Sequence, residues 1–145
     1  MKKLLFFFGI ALFSFTAVNA QSVVKPLQSD VTVHKAGLDT VTNAASVSQV
    51  LQIPGNPAII TIQAAVTKLT GSPGGSVKLY GSVDGVRYDF ATTSTDTLAV
   101  ANVAGAQVKT WKLTGNAFQY YKAIYKSNNS SQTSTVSNAA LIRGK

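Results

Sequence analysis

The chain has 145 residues, 46% hydrophobic and 12% charged, with a net charge of +8 and no cysteine. Without thiols it has no disulfide staple, cysteine nucleophile or Cys-based zinc site, and it cannot be a lipid-modified lipoprotein, whose acceptor is a Cys at the cleavage point. The 13 basic residues outnumber the 5 acidic ones, all of them Asp. They are scattered rather than run together, so the plainer reading is a solvated, modestly basic surface, and nucleic acid is not an expected partner.

Residues 1–20 have the three-part layout of a secretory signal peptide: Met1-Lys2-Lys3, an apolar run from Leu4 to Phe15, and small residues ending at Val18-Asn19-Ala20. The apolar run is shorter than the roughly 20 residues that span a bilayer, and a retained N-terminal anchor is the alternative. Cleavage after Ala20 leaves Gln21 to Lys145, one ordinary domain with a single core and no transmembrane segment. Its expected location is secreted or extracytoplasmic. Removing the signal also removes Phe6, Phe7, Phe8, Phe13 and Phe15, so Phe90 and Phe118 are the Phe residues that remain.

Residues 21–30 read as an extended arm containing Pro26, and residues 31–145 as one β domain. Val31 and Val33 alternate with Thr32 and His34 in a short strand. Residues 46–53 place Val47, Leu51 and Ile53 on one side, and Pro54-Gly55-Asn56-Pro57 forces a turn. Residues 58–69 form a long strand with Ile60, Ile62, Ala64 and Val66 in phase, followed by the turn at 71–75. In residues 76–82, Val77, Leu79 and Gly81 alternate with Lys78 and Tyr80. Asp84-Gly85 supplies the left-handed positions of a tight hairpin, and the chain returns over 87–92 with Phe90 facing the same core as Val77 and Leu79. Short strands follow at 97–100 and 108–113. Residues 120–127 and 132–142 form a closing hairpin with Asn128-Asn129-Ser130-Ser131 at its tip. Residues 99–106 are the one stretch that could hold a helical turn. The whole is all-β, an antiparallel β-sandwich of Ig-like or jelly-roll type with about eight or nine short strands; a closed barrel is the runner-up.

Groups that could carry catalysis are few. His34 is the single histidine, and no Gly-x-Ser-x-Gly elbow accompanies it. Asp84 and Asp89 lie close in sequence, but Asp84 is explained by its turn, and Asp89 could pair with Arg87 or Lys78. Asp84, Asp89 and Asp96 could approach a calcium ion only if their loops converge. No enzyme activity, metal or cofactor is expected. Exposed aromatics beside lysines suit sugar stacking, and Trp111, Tyr120, Tyr121 and Tyr125 are the candidate ligand-binding residues. Alternation puts Tyr121, Ala123 and Tyr125 on one face and Tyr120, Lys122, Ile124 and Lys126 on the other. The favoured reading is that Trp111 and one Tyr set fill the core.

The stretch from Val77 to Tyr88, with Gly81-Ser82-Val83-Asp84-Gly85 at its centre, resembles the Gly-Ser-x-Asp-Gly hairpin of small β-sandwich structural proteins of tailed phages and prophages. Residues 120–125 and 132–136 resemble their closing hairpin. The likeness covers the second half of the chain, and Val83 and Tyr88 depart from the usual Asn and Trp. The signal ending Val18-Asn19-Ala20 before Gln21 looks like those of Bacteroidetes-type bacteria. The resemblance implies an exported, non-catalytic structural or adhesive sandwich in a surface or virion-like assembly, with itself or other structural proteins as partners. The alternative is a secreted carbohydrate-binding module whose partners are surface glycans.

Overall fold

A computed structural model describes residues 23–26, 28–29, 38–53, 58–114 and 118–143. The signal-like segment, the strand expected at 31–34 with His34, and Asp30 lie outside the described residues. Among the described residues eleven strands run in chain order as β1 Val23–Pro26, β2 Gln28–Ser29, β3 Leu38–Thr42, β4 Ser46–Gln52, β5 Ile59–Gly71, β6 Gly75–Ser82, β7 Asp89–Phe90, β8 Leu98–Val100, β9 Ala106–Thr114, β10 Tyr120–Ser127 and β11 Gln132–Arg143.

They form two antiparallel sheets. In sheet A, β11 is flanked by β5 on one side and by β3 and β1 on the other, with β9 beyond β5. Sheet B runs β2-β4-β10-β6, with β7 and β8 both pairing with the far side of β6. The expected antiparallel β-sandwich is therefore the observed fold. All connections except β6–β7 and β7–β8 carry the chain from one sheet to the other, an alternation closer to a jelly roll than to an Ig domain. Within the arm, 23–26 and 28–29 are paired strands, one in each sheet.

Period-2 alternation explains why these segments are strands with one buried face. On β5, Ile60, Ile62, Ala64 and Val66 are all 0–1% exposed; on β6 and β10, Val77, Leu79, Tyr121, Ala123 and Tyr125 are equally buried. Burying each large apolar side chain contributes about 1.5–3 kcal/mol. Trp111 on β9 fills the space between the sheets at 2% exposure, and its Nε1 donates to the Asp96 carbonyl at 3.0 Å. That bond satisfies a polar atom whose burial would otherwise be costly. Tyr125 likewise donates its hydroxyl to the Gly74 carbonyl at 3.0 Å.

One corner of the interior is polar. Asp39 points inward from β3 and accepts a 2.7 Å hydrogen bond from Gln49 Nε2 on β4. Gln49 Oε1 accepts in turn from Asn138 Nδ2 on β11. Nearby, Gln132 Nε2 donates to the Asn43 carbonyl at 2.9 Å and to Ser127 Oγ at 3.1 Å, while Ser134 donates to Gln132 Oε1 at 2.7 Å. These contacts tie the β3–β4 corner, where Asn43 takes φ 54°, to the start of β11. Asn is among the few residue types that tolerate this left-handed backbone.

Several expectations are corrected. β3 occupies Leu38–Thr42, a strand the sequence reading does not place. Residues 101–105 form bends rather than a helical turn. β10 and β11 do not pair with each other: residues 128–131 carry the chain from sheet B to sheet A. The return after Asp84-Gly85 shortens to Asp89–Phe90, and Phe90 faces outward at 37% exposure because its partner in the ladder is Tyr80 rather than Leu79.

Candidate functional site

The expected Asp84-Gly85 turn is present, but as the longer loop 83–88. A tight two-residue hairpin needs positive φ at both central residues (type I′) or at the first (type II′); here Gly85 adopts φ 74° and Asp84 does not adopt a positive φ. Asp84 instead caps the loop. Its Oδ1 accepts from the amides of Arg87 at 2.8 Å and Val86 at 2.9 Å and from the Ser82 hydroxyl at 2.9 Å, and its Oδ2 accepts from Arg87 Nε at 3.1 Å. Ser82 Oγ receives the Gly85 amide at 2.9 Å.

The donated amides of Arg87 and Val86, then the Ser82 hydroxyl and the Arg87 guanidinium, hold the Asp84 carboxyl well below the usual carboxylate range. Since the folded pKa is the lower one, the order that ionised Asp84 gives the loop is complete above the ordinary Asp value of about 3.9. It is lost only as pH falls below that value towards the folded pKa. A carboxyl ¹³C titration is expected to show Asp84 still ionised where a free Asp is half protonated; titration in the ordinary range would contradict the capping geometry.

The loop borders an open cleft of about 610 Å³ lined by residues 81–84, 87–89 and 118. Gly81 makes room for Phe118, since a Cβ at position 81 would overlap that ring. Phe118 packs edge-on to Tyr121 with centroids 6.0 Å apart. Asp89 lies at the cleft, and its Oδ1 accepts from the Phe90 amide at 2.7 Å; the ion pair in this region joins Arg87 to Asp84, not Asp89 to Arg87 or Lys78. Asp96 lies elsewhere, paired with Lys109 at 2.5 Å. Among the described residues no group of three or more His, Cys, Asp or Glu could hold a metal ion.

Tyr88 of the cleft lining meets Lys122 of β10 on the outward face of sheet B. The β10 and β6 ladders align Tyr120 with Ser82, Lys122 with Tyr80 and Ile124 with Lys78, and β7 places Phe90 next to Tyr80. Tyr80 and Phe90 stack with centroids 4.9 Å apart and planes 24° from parallel. Lys78 Nζ lies 5.5 Å from the Phe90 centroid, and Lys122 Nζ lies 4.2 Å from that of Tyr88. Tyr120 is half-buried, accepts from Gln52 Nε2 at 3.3 Å and packs against Gly85 of the loop.

The structure thus divides the predicted aromatics. Trp111, Tyr121 and Tyr125 are core residues rather than ligand-binding ones, in line with the favoured reading of Trp111 and one Tyr set, because alternation turns all three between the sheets. Burial pushes the Tyr121 and Tyr125 phenols up from their usual range. Tyr120 alone of the four reaches the outer face, where it joins Tyr80, Tyr88 and Phe90. The sequence reading misses those three as site residues, although Tyr80 lies in the same outward phase as Lys78.

No protein-family model and no curated protein matches the chain. Solved structures do. One, described as "CBM4 structure and function", shares 12% identity at a TM-score of 0.51, covering 86% of this chain and 88% of that one. Another, the CBM22-1 xylan-binding domain of Xyn10C from Paenibacillus barcinonensis, shares 12% identity at a TM-score of 0.50, covering 86% of each chain. At this identity the likeness establishes the fold: the chain is built on the same β-sandwich as these modules.

Proposed function

We propose that this is an exported, non-catalytic module that binds carbohydrate on the outer face of sheet B. The observation that carries this reading is the grouping of Tyr80, Tyr88, Phe90 and Tyr120 on one face, with Tyr88 also lining the cleft. Sugar rings present C–H faces that pack on aromatic rings, while their hydroxyls need nearby donors and acceptors such as Gln52, the Tyr80 hydroxyl and Asp89. The shared fold with a xylan-binding domain adds support. The signal-like residues 1–20 support export.

The non-catalytic part rests on what the carboxylates do. Hydrolysis of a glycosidic bond generally needs two of them flanking it. Asp84 is committed to its loop and Arg87, Asp96 to Lys109, and Asp39 to the interior. A structural or adhesive role in a surface or virion-like assembly draws on the resemblance of residues 77–88, 120–125 and 132–136 and has less support than glycan binding.

Calorimetric titration with soluble plant-type and bacterial polysaccharides tests the proposal. The Tyr80→Ala and Phe90→Ala variants are each expected to weaken binding about tenfold or more, some 1.4 kcal/mol or above, with unchanged thermal unfolding. Undiminished binding in both variants would remove sheet B's face from the site.

A further inference from the structure

We propose that the outer edge of β9 pairs with the same edge of a second copy of this chain, antiparallel and about a twofold axis through Thr110, so that the two sheets A become one continuous sheet. The sheet edges differ in length. Those other than β9 are broken up by β1, β2, β3, β7 and β8, of two to five residues each. β9 has 9 residues, all in unbroken register with β5, from Thr114 opposite Ile59 to Ala106 opposite Thr67. It holds no Pro, Gly or bulge. A strand turns alternate amides and carbonyls to each side. Among the described residues no backbone hydrogen bond reaches the side of β9 away from β5. An edge this long and regular is a template for another strand unless charge or bulk blunts it.

Neither charge nor bulk blunts it here. Lys109 lies in the inward phase with Trp111, where an unpaired charge would oppose pairing, but its ammonium is held by Asp96 at 2.5 Å. The outward side chains are Ala106, Val108, Thr110, Lys112 and Thr114. All but Lys112 are short, and Val108 leaves an apolar side chain 50% exposed. The order of the side chains selects the partner. Pairing about Thr110 overlaps the whole strand and sets Ala106 opposite Thr114, Val108 opposite Lys112 and Lys109 opposite Trp111 of the copy. No lysine directly faces a lysine, an arrangement that would be destabilising. The two Lys112 stand about 14 Å apart, four residues at about 3.4 Å each, beyond the ~8 Å screening length of physiological salt. The axis is perpendicular to sheet A, so both copies of sheet B lie on the same side and their outer faces point the same way. Where that face binds glycan as proposed above, one polymer engages two sites and gains avidity.

The test is sedimentation equilibrium of the intact protein over protein concentrations of about 1–300 μM. A strand-edge contact is smaller than a standard stable interface, so the expected dimer has a Kd of about 10–100 μM. The twofold repeats every change on both sides. Val108→Lys, which sets a lysine opposite Lys112, is expected to weaken the dimer about tenfold, and Val108→Glu to tighten it about three- to tenfold. Both leave unfolding of the dilute monomer unchanged, because position 108 is exposed. The chain has no cysteine, so Thr110→Cys introduces a single thiol. Directly opposed residues of an antiparallel pair have Cα atoms about 4.5–5.5 Å apart, within disulfide reach, and mild oxidation is expected to give a covalent dimer. Gln63 is exposed on β5 opposite Thr110, one strand in from the edge. Gln63→Cys places its thiols three strand spacings apart, about 14 Å, and is expected not to link. A protein monomeric throughout, a dimer indifferent to both Val108 changes, or linkage of Gln63→Cys as fast as Thr110→Cys overturns the proposal. So does protection of every β9 amide from hydrogen exchange in the dilute monomer, which would put another segment of the same chain on this edge. None of these readouts depends on glycan binding.

Discussion

The Trp111→Ala variant is expected to lose about 3–5 kcal/mol of stability, the range for emptying a large aromatic site in a packed core. Folded domains have only about 5–15 kcal/mol in hand, so this single change brings the chain close to unfolding and lowers the melting temperature by roughly 10–20 °C. Two effects add. Removing the ring leaves a cavity against Ile62, its ladder partner on β5, and removing Nε1 leaves the Asp96 carbonyl without its donor. Trp111→Phe restores most of the packing but not the hydrogen bond and is expected to cost markedly less. Differential scanning calorimetry of the three proteins measures this. A Trp111→Ala protein melting within a few degrees of the parent would show that the indole is not a core element. The same burial predicts blue-shifted tryptophan emission that glycan leaves largely unchanged, since the indole does not reach the outer face.

Gln49→Leu is the second large effect. Gln49 is 0% exposed and bridges Asp39 to Asn138. Leucine keeps much of the volume and makes neither hydrogen bond. Each buried group left unsatisfied costs about 1–3 kcal/mol, more when charged, so the variant is expected to lose about 2–6 kcal/mol. The combined variant Asp39→Leu/Gln49→Leu/Asn138→Leu is expected to recover most of that loss, because replacing every partner in a polar cluster with apolar groups removes the orphaned atoms. Urea unfolding compares the two. A triple variant less stable than Gln49→Leu would show that the three side chains do not act as one network.

What the sequence reveals and what it conceals follow from the same physics. The strands at 46–53, 58–69, 76–82 and 120–127 were legible because alternation is local, and their inward residues are those buried in the structure. β3 was not legible. Its inward residues are Val41 and Asp39, and a buried Asp makes sense only once Gln49 and Asn138 are known to meet it from distant segments. The 128–131 turn reads as a hairpin tip because a polar turn between two strands looks the same whether the strands pair or separate into two sheets. The aromatic site was half visible. Both faces of 120–126 carry Tyr, so periodicity separates the sets without saying which is buried; Val77 and Leu79 across the ladder settle it. Phe90, Tyr80 and Tyr88 join Tyr120 through the β6–β7 and β6–β10 pairings and the 83–88 loop, which local pattern cannot specify.

The outer face of sheet B is the proposed binding surface. Chemical-shift mapping of the intact protein, titrated with the oligosaccharide that binds best, tests it most directly. Binding there is expected to perturb amide and side-chain signals concentrated at Tyr80, Tyr88, Phe90, Tyr120 and Lys122, with outward residues of sheet A such as Thr40, Thr67 and Thr135 unmoved. Shifts concentrated on sheet A, or confined to the loops at the end of the sandwich away from 83–88, would contradict it.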